Sequence, residues 1–272
     1  MDARLQRRVQ RYGWDRAVGH YERHWGRQLE PAQARLLEMA DLQPGERVLD
    51  VACGTGLITF SAADAVGPEG AVVGTDLSGE MVEAVQSEAG RRGLTNLSCE
   101  RMDAEHLDLP DESFDVALCA LGLMYAPDPI EAMREMHRVL VPGGRAVVAV
   151  WGARANCGWA EIFPIVDSRV KTEVCPLFFQ LGTGASLESA IKTAGFGETG
   201  DERLATIMRY ESEENALVAA FAGGPVALAY SRFEETVREE AHAEYLASIE
   251  SYRDGAGYRI PGEFVVARAS KG

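Results

Sequence analysis

The chain has 272 residues, 46% of them hydrophobic and 25% charged, a balance typical of a globular protein that forms one large domain or one domain with a sizeable insertion. The formal net charge of −15 argues against nucleic acid as the main partner, because a phosphate-binding face needs a local excess of Lys and Arg. No apolar run reaches the roughly 18–20 residues that cross a bilayer, and the N-terminal stretch lacks the apolar core of a secretory signal. We therefore expect a cytoplasmic protein without a membrane span.

The cysteines and the uneven distribution of charge give little positive information. The five cysteines are scattered and form no C-x-x-C pair, so neither a metal site nor a disulfide framework is indicated, and we expect reduced, mostly buried thiols. Residues 1–35 carry eight Arg against four acids, and residues 198–263 carry fourteen acids against six Arg. We interpret these segments as two solvated surfaces of opposite sign. The alternative is a basic arm that attracts an anionic substrate.

In chain order, the first predicted elements are helical and the next alternate between strands and helices. Residues 1–43 show helical character, and PAQARLLEMADL places its apolar residues on one face. The predicted strands are 46–52, 71–76, 97–103, 114–120 and 141–151, and the helices between them are 56–65, 78–92 and 129–140. This alternation of strands and helices implies βαβ crossovers and a parallel sheet covered on both faces.

After Trp151 this alternation stops. A short helix is predicted over 186–196 and a strand over 202–212. The segment 214–253 is mostly helical and is interrupted by a Gly-Gly-Pro turn, and a last strand is predicted over 262–269. The sequence therefore predicts one α/β domain with added helices that cover one edge of the sheet.

The stretch VLDVACGTG, residues 48–56, is a buried strand that runs into a glycine-rich turn. Gly54 and Gly56 let a ligand approach the backbone, and the loop opens a helix whose first N–H groups are free donors. Asp76, at the end of the second strand, can accept hydrogen bonds from two ribose hydroxyls. Nicotinamide dehydrogenases and adenosyl-cofactor enzymes both use this geometry. The third glycine of G-x-G-x-x-G is absent, and a carboxylate at Asp50 would repel pyrophosphate but suit an ammonium group.

Four segments together resemble a known family. VLDVACGTG, VVGTDLS, RMDAEHLDLPDESFDVALCALGLMYAPDP and EMHRVLVPGGRAVVAVW are similar to the successive motifs of class I S-adenosylmethionine-dependent methyltransferases. The closest resemblance is to the branch of ubiquinone/menaquinone-biosynthesis and related small-molecule methyltransferases. The motifs run in order from about residue 46 to residue 151, which is some two fifths of the chain.

The resemblance implies roles for individual residues toward S-adenosylmethionine. The glycine loop would hold the methionine part, with Asp50 near its amino group, and Ala52 stands where the family has its first glycine. Asp76 would bind the ribose, and an aromatic residue of the N-terminal segment, Tyr21, would lie near the methionine part. The remaining cofactor contacts implied are Leu77 on the adenine, Asp103 and Ala104 on the adenine edge, and Cys119 and Leu121 near the methyl donor.

The resemblance also implies a fold and a domain plan. The expected fold is α/β, with a Rossmann-like, mostly parallel seven-stranded sheet, helices on both faces and an added helical lid. Residues 1–43 would form an N-terminal helical cap and 44–151 the core that binds S-adenosylmethionine. Residues 152–272 would supply the remaining strands with an inserted helical lid over the substrate.

Candidates for the chemistry itself are fewer. His24 is the best candidate for a general base, although Tyr21, His24 and Trp25 at helical spacing also fit a packing face. Tyr125 follows the fourth strand and would either orient the acceptor or form a wall. Trp25 is a candidate for binding the substrate. The glycine-rich and aromatic segment 252–264 resembles a lid in composition, so Tyr258 and Arg259 are candidates for the acceptor pocket.

The predicted function is transfer of a methyl group from S-adenosylmethionine to an O, N or C atom of a small organic acceptor, without a metal. The alternative is a catalytically inactive S-adenosylmethionine-binding protein that acts as a regulator or partner. A dehydrogenase is disfavoured by the missing third glycine. We expect acceptor specificity to reside in residues 1–30, 152–185 and 214–262, and the sequence indicates no oligomeric state.

Overall fold

One mixed β-sheet forms the centre of the protein in the computed structural model, which describes residues 2–171 and 173–272. Seven strands lie in the order β3-β2-β1-β4-β5-β8-β6, and a two-residue strand, β7, pairs with β8 beside this path. The predicted seven-stranded α/β sheet is thus confirmed, with one short addition. The strands are β1 (Arg47–Val51), β2 (Ala71–Asp76), β3 (Leu97–Arg101), β4 (Phe114–Ala120), β5 (Leu140–Trp151), β6 (Thr199–Tyr210), β7 (Arg253–Asp254) and β8 (Gly257–Ser270).

The sheet has its topological switch between β1 and β4. The pairs β1–β2, β2–β3, β1–β4 and β4–β5 are parallel, whereas β8 runs antiparallel to both β5 and β6. From β1 the chain builds the sheet toward β3, and from β4 it builds toward β6. Ligands of open α/β sheets bind beside such a switch, outside the carboxyl ends of the strands.

Nine α-helices are present in the described residues, and short polar caps fix several of their starts. The side chain of Ser78 accepts a hydrogen bond from the N–H of Met81 and so caps the start of the helix after β2. The side chain of Asp128 accepts from the N–H groups of Ile130 and Glu131 and caps the start of the helix that opens with Pro129. Among the described residues, no helix is both long enough and apolar enough to cross a membrane. The helices are α1 (Ala3–Ala40), α2 (Leu57–Val66), α3 (Gly79–Arg92), α4 (Pro129–Val139), α5 (Ile162–Asp167), α6 (Ser186–Thr193), α7 (Glu213–Phe221), α8 (Ala227–Tyr230) and α9 (Glu235–Ile249).

The helical prediction for residues 1–43 is confirmed as one long helix, α1. It has 38 residues, which corresponds to a length of about 57 Å, and it continues through Pro31. Its C-terminal half packs on the sheet, where Leu36 and Ala40 are fully buried. The helix ends at Asp41, whose φ of 48° is left-handed. Its N-terminal half extends over the carboxyl ends of the strands.

The segment after β5 follows the predicted order of elements, with one exception. The predicted helix, strand and helical region are found as α6, as β6 and as α7 to α9. The interpretation of 252–264 as a lid is wrong, because this segment contains β7 and the first half of β8. Tyr258 and Arg259 pair there with β6, opposite Tyr210 and Arg209. This long-range pairing could not be seen in a local composition rich in glycine and aromatic residues.

Candidate active site

The loop between β1 and α2 has a backbone that only glycine or a small residue adopts easily. Ala52, Gly54 and Gly56 all have left-handed φ values, of 57°, 56° and 90°. A Cβ atom added to Gly56 would lie 2.6 Å from the ring of Phe60. Gly56 caps the start of α2, where its conformation and the nearby ring of Phe60 leave no room for a side chain. Ala52 and Gly54 line a cavity at the switch point.

The methyl group of Ala52 is accommodated by a glycine on the neighbouring strand end. A Cβ atom at Gly122 would lie only 2.4 Å from the Cβ of Ala52 and 2.9 Å from the sulfur of Cys119. The alanine that replaces the family's first glycine is thus matched by a glycine after β4. The thiol of Cys119 lies behind this contact, fully buried, and burial raises its pKa to about 12. Cys119 does not line the cavity, whereas Leu121, with a left-handed φ of 63°, does.

Asp76 joins the glycine loop to the start of α3. Its carboxylate accepts hydrogen bonds from the N–H of Gly54 at 2.9 Å and from the N–H of Ser78 at 2.8 Å. Burial nevertheless raises the pKa of Asp76 to about 6, because these two donors only partly compensate for the lost water. Asp76 and the adjacent Leu77 both line the cavity, next to the loop.

Asp50 lies beneath the loop instead of in the cavity wall. It is 1% exposed, and its carboxylate accepts a hydrogen bond from the hydroxyl of Thr59 at 2.7 Å. Burial raises the pKa of Asp50 to about 7, and the nearby charge of Asp76 adds to this rise. Asp50 is therefore placed to support the loop from below, through its hydrogen bond with Thr59 of α2.

Beyond β3, an acidic pair meets a cation from α1. Asp103 and Ala104 line the cavity, and a carboxylate oxygen of Asp103 lies 2.7 Å from the Nε of Arg7. Arg7 also pairs with Glu105. The pairing of Arg7 with Asp103 could not be predicted from the sequence, because the two residues are nearly a hundred positions apart. The Arg7–Asp103 ion pair holds the start of α1 against the edge of the cavity that follows β3.

One face of α1 covers the cavity. The ring of Tyr21 lies over the glycine loop, since a Cβ atom on Gly54 would come within 3.6 Å of it. Burial raises the pKa of the Tyr21 hydroxyl, and the charges of Asp76 and Asp50 raise it further. The indole N–H of Trp25 donates to the carbonyl of Ala219 in α7 at 3.0 Å. The residues of this face that line the cavity are Arg7, Gln10, Trp14, Tyr21, Trp25 and Leu29.

His24 does not lie on that face. Successive helical residues are about 100° apart, so His24 lies about 60° from Tyr21 and about 100° from Trp25 around the axis. Its ring is 6.1 Å from the ring of His20, outside the cavity lining. Partial burial and the neighbouring His20 and Arg23 lower its pKa. The geometry therefore argues against the prediction that His24 is a general base.

Tyr258 and Arg259 also lie away from the cavity. The hydroxyl of Tyr258 accepts a hydrogen bond from Arg253 at 2.8 Å, and its side chain is 1% exposed. Arg259 is exposed and lies 3.8 Å from a carboxylate oxygen of Asp254. Neither residue is placed to contact an acceptor in this cavity, so their predicted role does not fit the structure.

The rest of the cavity is a continuous series of aromatic rings, here named the aromatic belt. All four tryptophans of the chain belong to it, although only Trp25 was predicted at the site. The ring of Tyr125, predicted as a catalytic or wall residue, lies 5.2 Å from Trp14 and 5.5 Å from Phe178. Burial raises its pKa well above the usual value, so the ring is a neutral wall. The belt consists of Trp14, Tyr21, Trp25, Tyr125, Trp151, Trp159 and Phe178.

The belt draws on several segments outside the family motifs. Trp14 and Trp25 come from residues 1–30, and Trp159 and Phe178 come from 152–185. In 214–262, Gly224 and Pro225 complete the lining. These are the three segments in which the sequence predicts acceptor specificity. Within the described parts of the chain, no group of three or more His, Cys, Asp or Glu side chains is arranged to hold a metal ion.

The fold and cavity define a class of protein. A doubly wound sheet carries a glycine loop, a carboxylate at the end of β2 and a second carboxylate after β3, all beside the switch point. This is the arrangement that the sequence motifs of class I S-adenosylmethionine-dependent methyltransferases imply.

Comparison with known proteins shows what this segment resembles. Residues 42–168 match the model of a family described as a methyltransferase domain. Over 132 residues the chain is 36% identical to aklanonic acid methyltransferase DauC of Streptomyces sp. (strain C5), and over 128 residues it is 37% identical to demethylmenaquinone methyltransferase of Geobacillus stearothermophilus. Residues 42–168, just under half of the chain, are therefore similar to a methyltransferase domain.

The extent of these matches differs between sequence and structure. The two alignments cover 48% and 47% of this chain, and the chain spans only 60% and 55% of the two relatives. The YcgJ protein of Bacillus subtilis has the same fold, with a TM-score of 0.62 over 89% of this chain and 98% of its own, at 19% identity. The fold of nearly the whole chain is thus shared, while sequence similarity is confined to the domain.

Proposed function

We propose that the protein transfers the methyl group of S-adenosylmethionine to a small organic acceptor. One observation carries the proposal. A single cavity joins the Asp76–Gly54 contact and the Asp103–Ala104 edge to the aromatic belt. The first part suits the donor, and the second suits an acceptor that must be shielded from water.

The side chains present fit the cofactor. The carboxylate of Asp76 accepts two backbone hydrogen bonds and keeps further lone pairs for ribose hydroxyls. The hydroxyl of Thr55, in the glycine loop, is buried without a hydrogen-bond partner among the described residues. Leu77 and Met102 form apolar walls beside the two carboxylates, as a purine ring requires.

We assign roles to the predicted residues on this basis. Asp76 binds the ribose, Leu77 contacts the adenine face, and Asp103 with the N–H of Ala104 binds the adenine edge. The loop from Ala52 to Gly56 holds the methionine part, Tyr21 covers it, and Asp50 favours its ammonium group from below. Leu121 lies on the methyl-donor side, and Cys119 supports that strand end without touching the ligand.

The chain's own contribution to the reaction is orientation and exclusion of water. When bound, S-adenosylmethionine supplies a methyl group on a positively charged sulfur that is a good leaving group. The belt holds the acceptor in line with that methyl, and alignment of this kind supplies roughly 7–11 kcal/mol. The titratable groups of the lining are already engaged or neutral, since Arg7 pairs with Asp103 and burial raises the pKa of Tyr21 and Tyr125. We therefore propose that the cavity supplies no general base, so that an acceptor with a proton to lose reacts as its ionised form or releases that proton to water.

Calorimetric titration tests this proposal. The protein should bind S-adenosylhomocysteine and not NAD, and Asp76→Ala should weaken binding at least tenfold. The matched control is Asp64→Ala, which removes an exposed carboxylate of α2. Unchanged affinity of the Asp76 variant would refute the ribose assignment.

The competing function is that of an inactive S-adenosylmethionine-binding regulator. It is distinguished by turnover, because a binder without catalysis would bind S-adenosylhomocysteine yet methylate no member of a panel of phenols, amines and carbon acids. Cytoplasmic location and the absence of nucleic acid partners stay predictions from composition.

A further inference from the structure

The acceptor end of the cavity contains a continuous aromatic surface. From Tyr21, above the glycine loop, ring centroids follow at 5.4 Å to Trp14, 5.2 Å to Tyr125 and 5.5 Å to Phe178. From Phe178 the next ring is Trp159 at 5.6 Å. Trp159 in turn lies 5.7 Å from Trp25 and 4.8 Å from Trp151. The belt therefore leads from the donor loop to Trp159, and its rigid faces suit a planar, conjugated molecule.

Two buried polar atoms in this wall have no hydrogen-bond partner among the described residues. They are the side-chain oxygen of Gln10 and the indole N–H of Trp159. Gln10 is 2% exposed and Trp159 is 5% exposed, and both line the cavity. Buried polar groups are nearly always paired, so two orphaned ones in a single cavity point to a ligand that pairs with them.

The orientation of the Gln10 amide is fixed by its neighbours. Its nitrogen donates to the carbonyl of Val174 at 2.9 Å and lies 3.3 Å from the sulfur of Cys175. A flipped amide would set two oxygens against each other, so the acceptor atom of Gln10 is the free one.

Trp25 provides an internal comparison for Trp159. Both indoles line the same cavity and are similarly buried, at 8% and 5% exposure. The N–H of Trp25 donates to the carbonyl of Ala219, whereas the N–H of Trp159 has no acceptor in residues 2–171 and 173–272. Packing in this cavity therefore allows an indole N–H to find a protein partner, but the described part of the chain provides none for Trp159.

We propose that Gln10 and Trp159 determine acceptor specificity by binding oxygen atoms of a planar phenolic acceptor. The oxygen of Gln10 accepts a hydrogen bond from a hydroxyl group, and the N–H of Trp159 donates to a second hydroxyl or a carbonyl oxygen. This inference rests on the proposed function, because it concerns the acceptor of that reaction.

The hydrogen-bonding groups of the cavity favour this class over a protonated arylalkylamine. An ammonium group has no lone pair for the N–H of Trp159. Of the two carboxylates that line the cavity, Asp76 is bonded to backbone N–H groups and Asp103 is paired with Arg7, so neither is placed to neutralise an ammonium group beside Trp159.

Equilibrium binding to the whole protein, with and without S-adenosylhomocysteine, tests the inference. The probes are 7-hydroxycoumarin, which is planar with a hydroxyl and a carbonyl group, and tryptamine, an aromatic ammonium. We expect wild-type protein to bind 7-hydroxycoumarin more tightly than tryptamine. Trp159→Phe and Gln10→Leu should each weaken the binding of 7-hydroxycoumarin about fivefold, which corresponds to the loss of a typical net hydrogen bond. Both variants should bind S-adenosylhomocysteine with an affinity within twofold of that of the wild type.

Trp25→Phe is the matched control, because it removes an indole N–H that already has a protein partner. The unfolding temperature of the ligand-free protein should fall further with Trp25→Phe than with Trp159→Phe, because both variants lose buried ring area but only Trp25→Phe also breaks a hydrogen bond. Equal binding of 7-hydroxycoumarin by wild type and both cavity variants, or tighter binding of tryptamine, would overturn the inference. Loss of S-adenosylhomocysteine binding in the wild type would instead contradict the proposed function and leave the probe comparison as the test of the inference.

Discussion

If Asp76 binds ribose as proposed, cofactor binding should weaken as the pH falls through about 6, because the ionised carboxylate is the stronger acceptor for both ribose hydroxyls. Burial raises its pKa in the ligand-free protein to about 6 from a usual value of 3.8. At pH 5 about nine tenths of the molecules then carry a proton on this carboxyl group. The affinity for S-adenosylhomocysteine should therefore be about tenfold lower at pH 5 than at pH 8, a difference of about 1.4 kcal/mol.

Calorimetry between pH 5 and pH 8 measures this dependence in three proteins. Asp76→Asn keeps the shape of the side chain but cannot titrate. Its affinity for S-adenosylhomocysteine should be lower than that of the wild type at pH 8, and the tenfold decrease in affinity from pH 8 to pH 5 that is due to Asp76 should disappear. Asp50→Asn is the control, because Asp50 lies beneath the loop and burial raises its own pKa to about 7. This control should retain the contribution of Asp76. An Asp76→Asn variant with the full pH dependence of the wild type would refute the reasoning.

The same raised pKa has the opposite effect on the stability of the ligand-free protein. A carboxyl group with a higher pKa in the folded state stabilises the fold below its unfolded pKa, near 3.8, and this contribution is lost as pH rises through about 6. Between pH 5 and pH 8 the loss for Asp76 is about 1.4 kcal/mol. Denaturant unfolding of wild type and Asp76→Asn should therefore differ by this amount in their pH dependence, and identical slopes would contradict it.

Two further predictions concern packing around the glycine loop and between α1 and α7. Gly122→Ala should lower the free energy of unfolding by about 1–3 kcal/mol, because its new methyl group would overlap the Cβ of Ala52. Adding Ala52→Gly to this variant should restore part of the lost stability. Denaturant unfolding of the single and double variants measures both effects. Trp25→Phe should lower the free energy of unfolding by about 1–3 kcal/mol, because the carbonyl of Ala219 loses its donor, and a change below 0.5 kcal/mol in denaturant unfolding would argue against that hydrogen bond.

The strands and helices of residues 44–151 could be predicted because their signals are local. Ser78 begins α3 and Pro129 opens α4, as expected from their capping preferences. The β1–α2 loop follows from glycines that tolerate left-handed φ values, and Asp76 follows from its place at the end of β2. Each of these features depends on a few adjacent residues.

The acceptor end could not be predicted in the same way, because it is assembled from distant segments. Trp159 and Phe178 come from a region with little regular structure, and only the packed chain brings Trp159 against both Trp25 and Phe178. A weaker signal was available in α1, where residues 7, 10, 14, 21 and 25 recur at helical spacing on one face. That spacing selects Trp25 over His24. The ion pair of Arg7 with Asp103 had no sequence signal.

The position of α1 makes the donor and acceptor ends depend on one element. Arg7 fixes the helix beside Asp103, at the edge where we propose that adenine binds. Tyr21 covers the glycine loop, and Trp25 anchors the helix to α7 through Ala219. Arg7 and Trp25 are eighteen residues apart, about 27 Å along a rigid helix. A displacement that opens the cavity over the cofactor therefore also removes Trp14 and Trp25 from the aromatic belt. It follows that the acceptor surface is complete only when α1 is seated over the donor, which favours an order in which the cofactor binds before the acceptor.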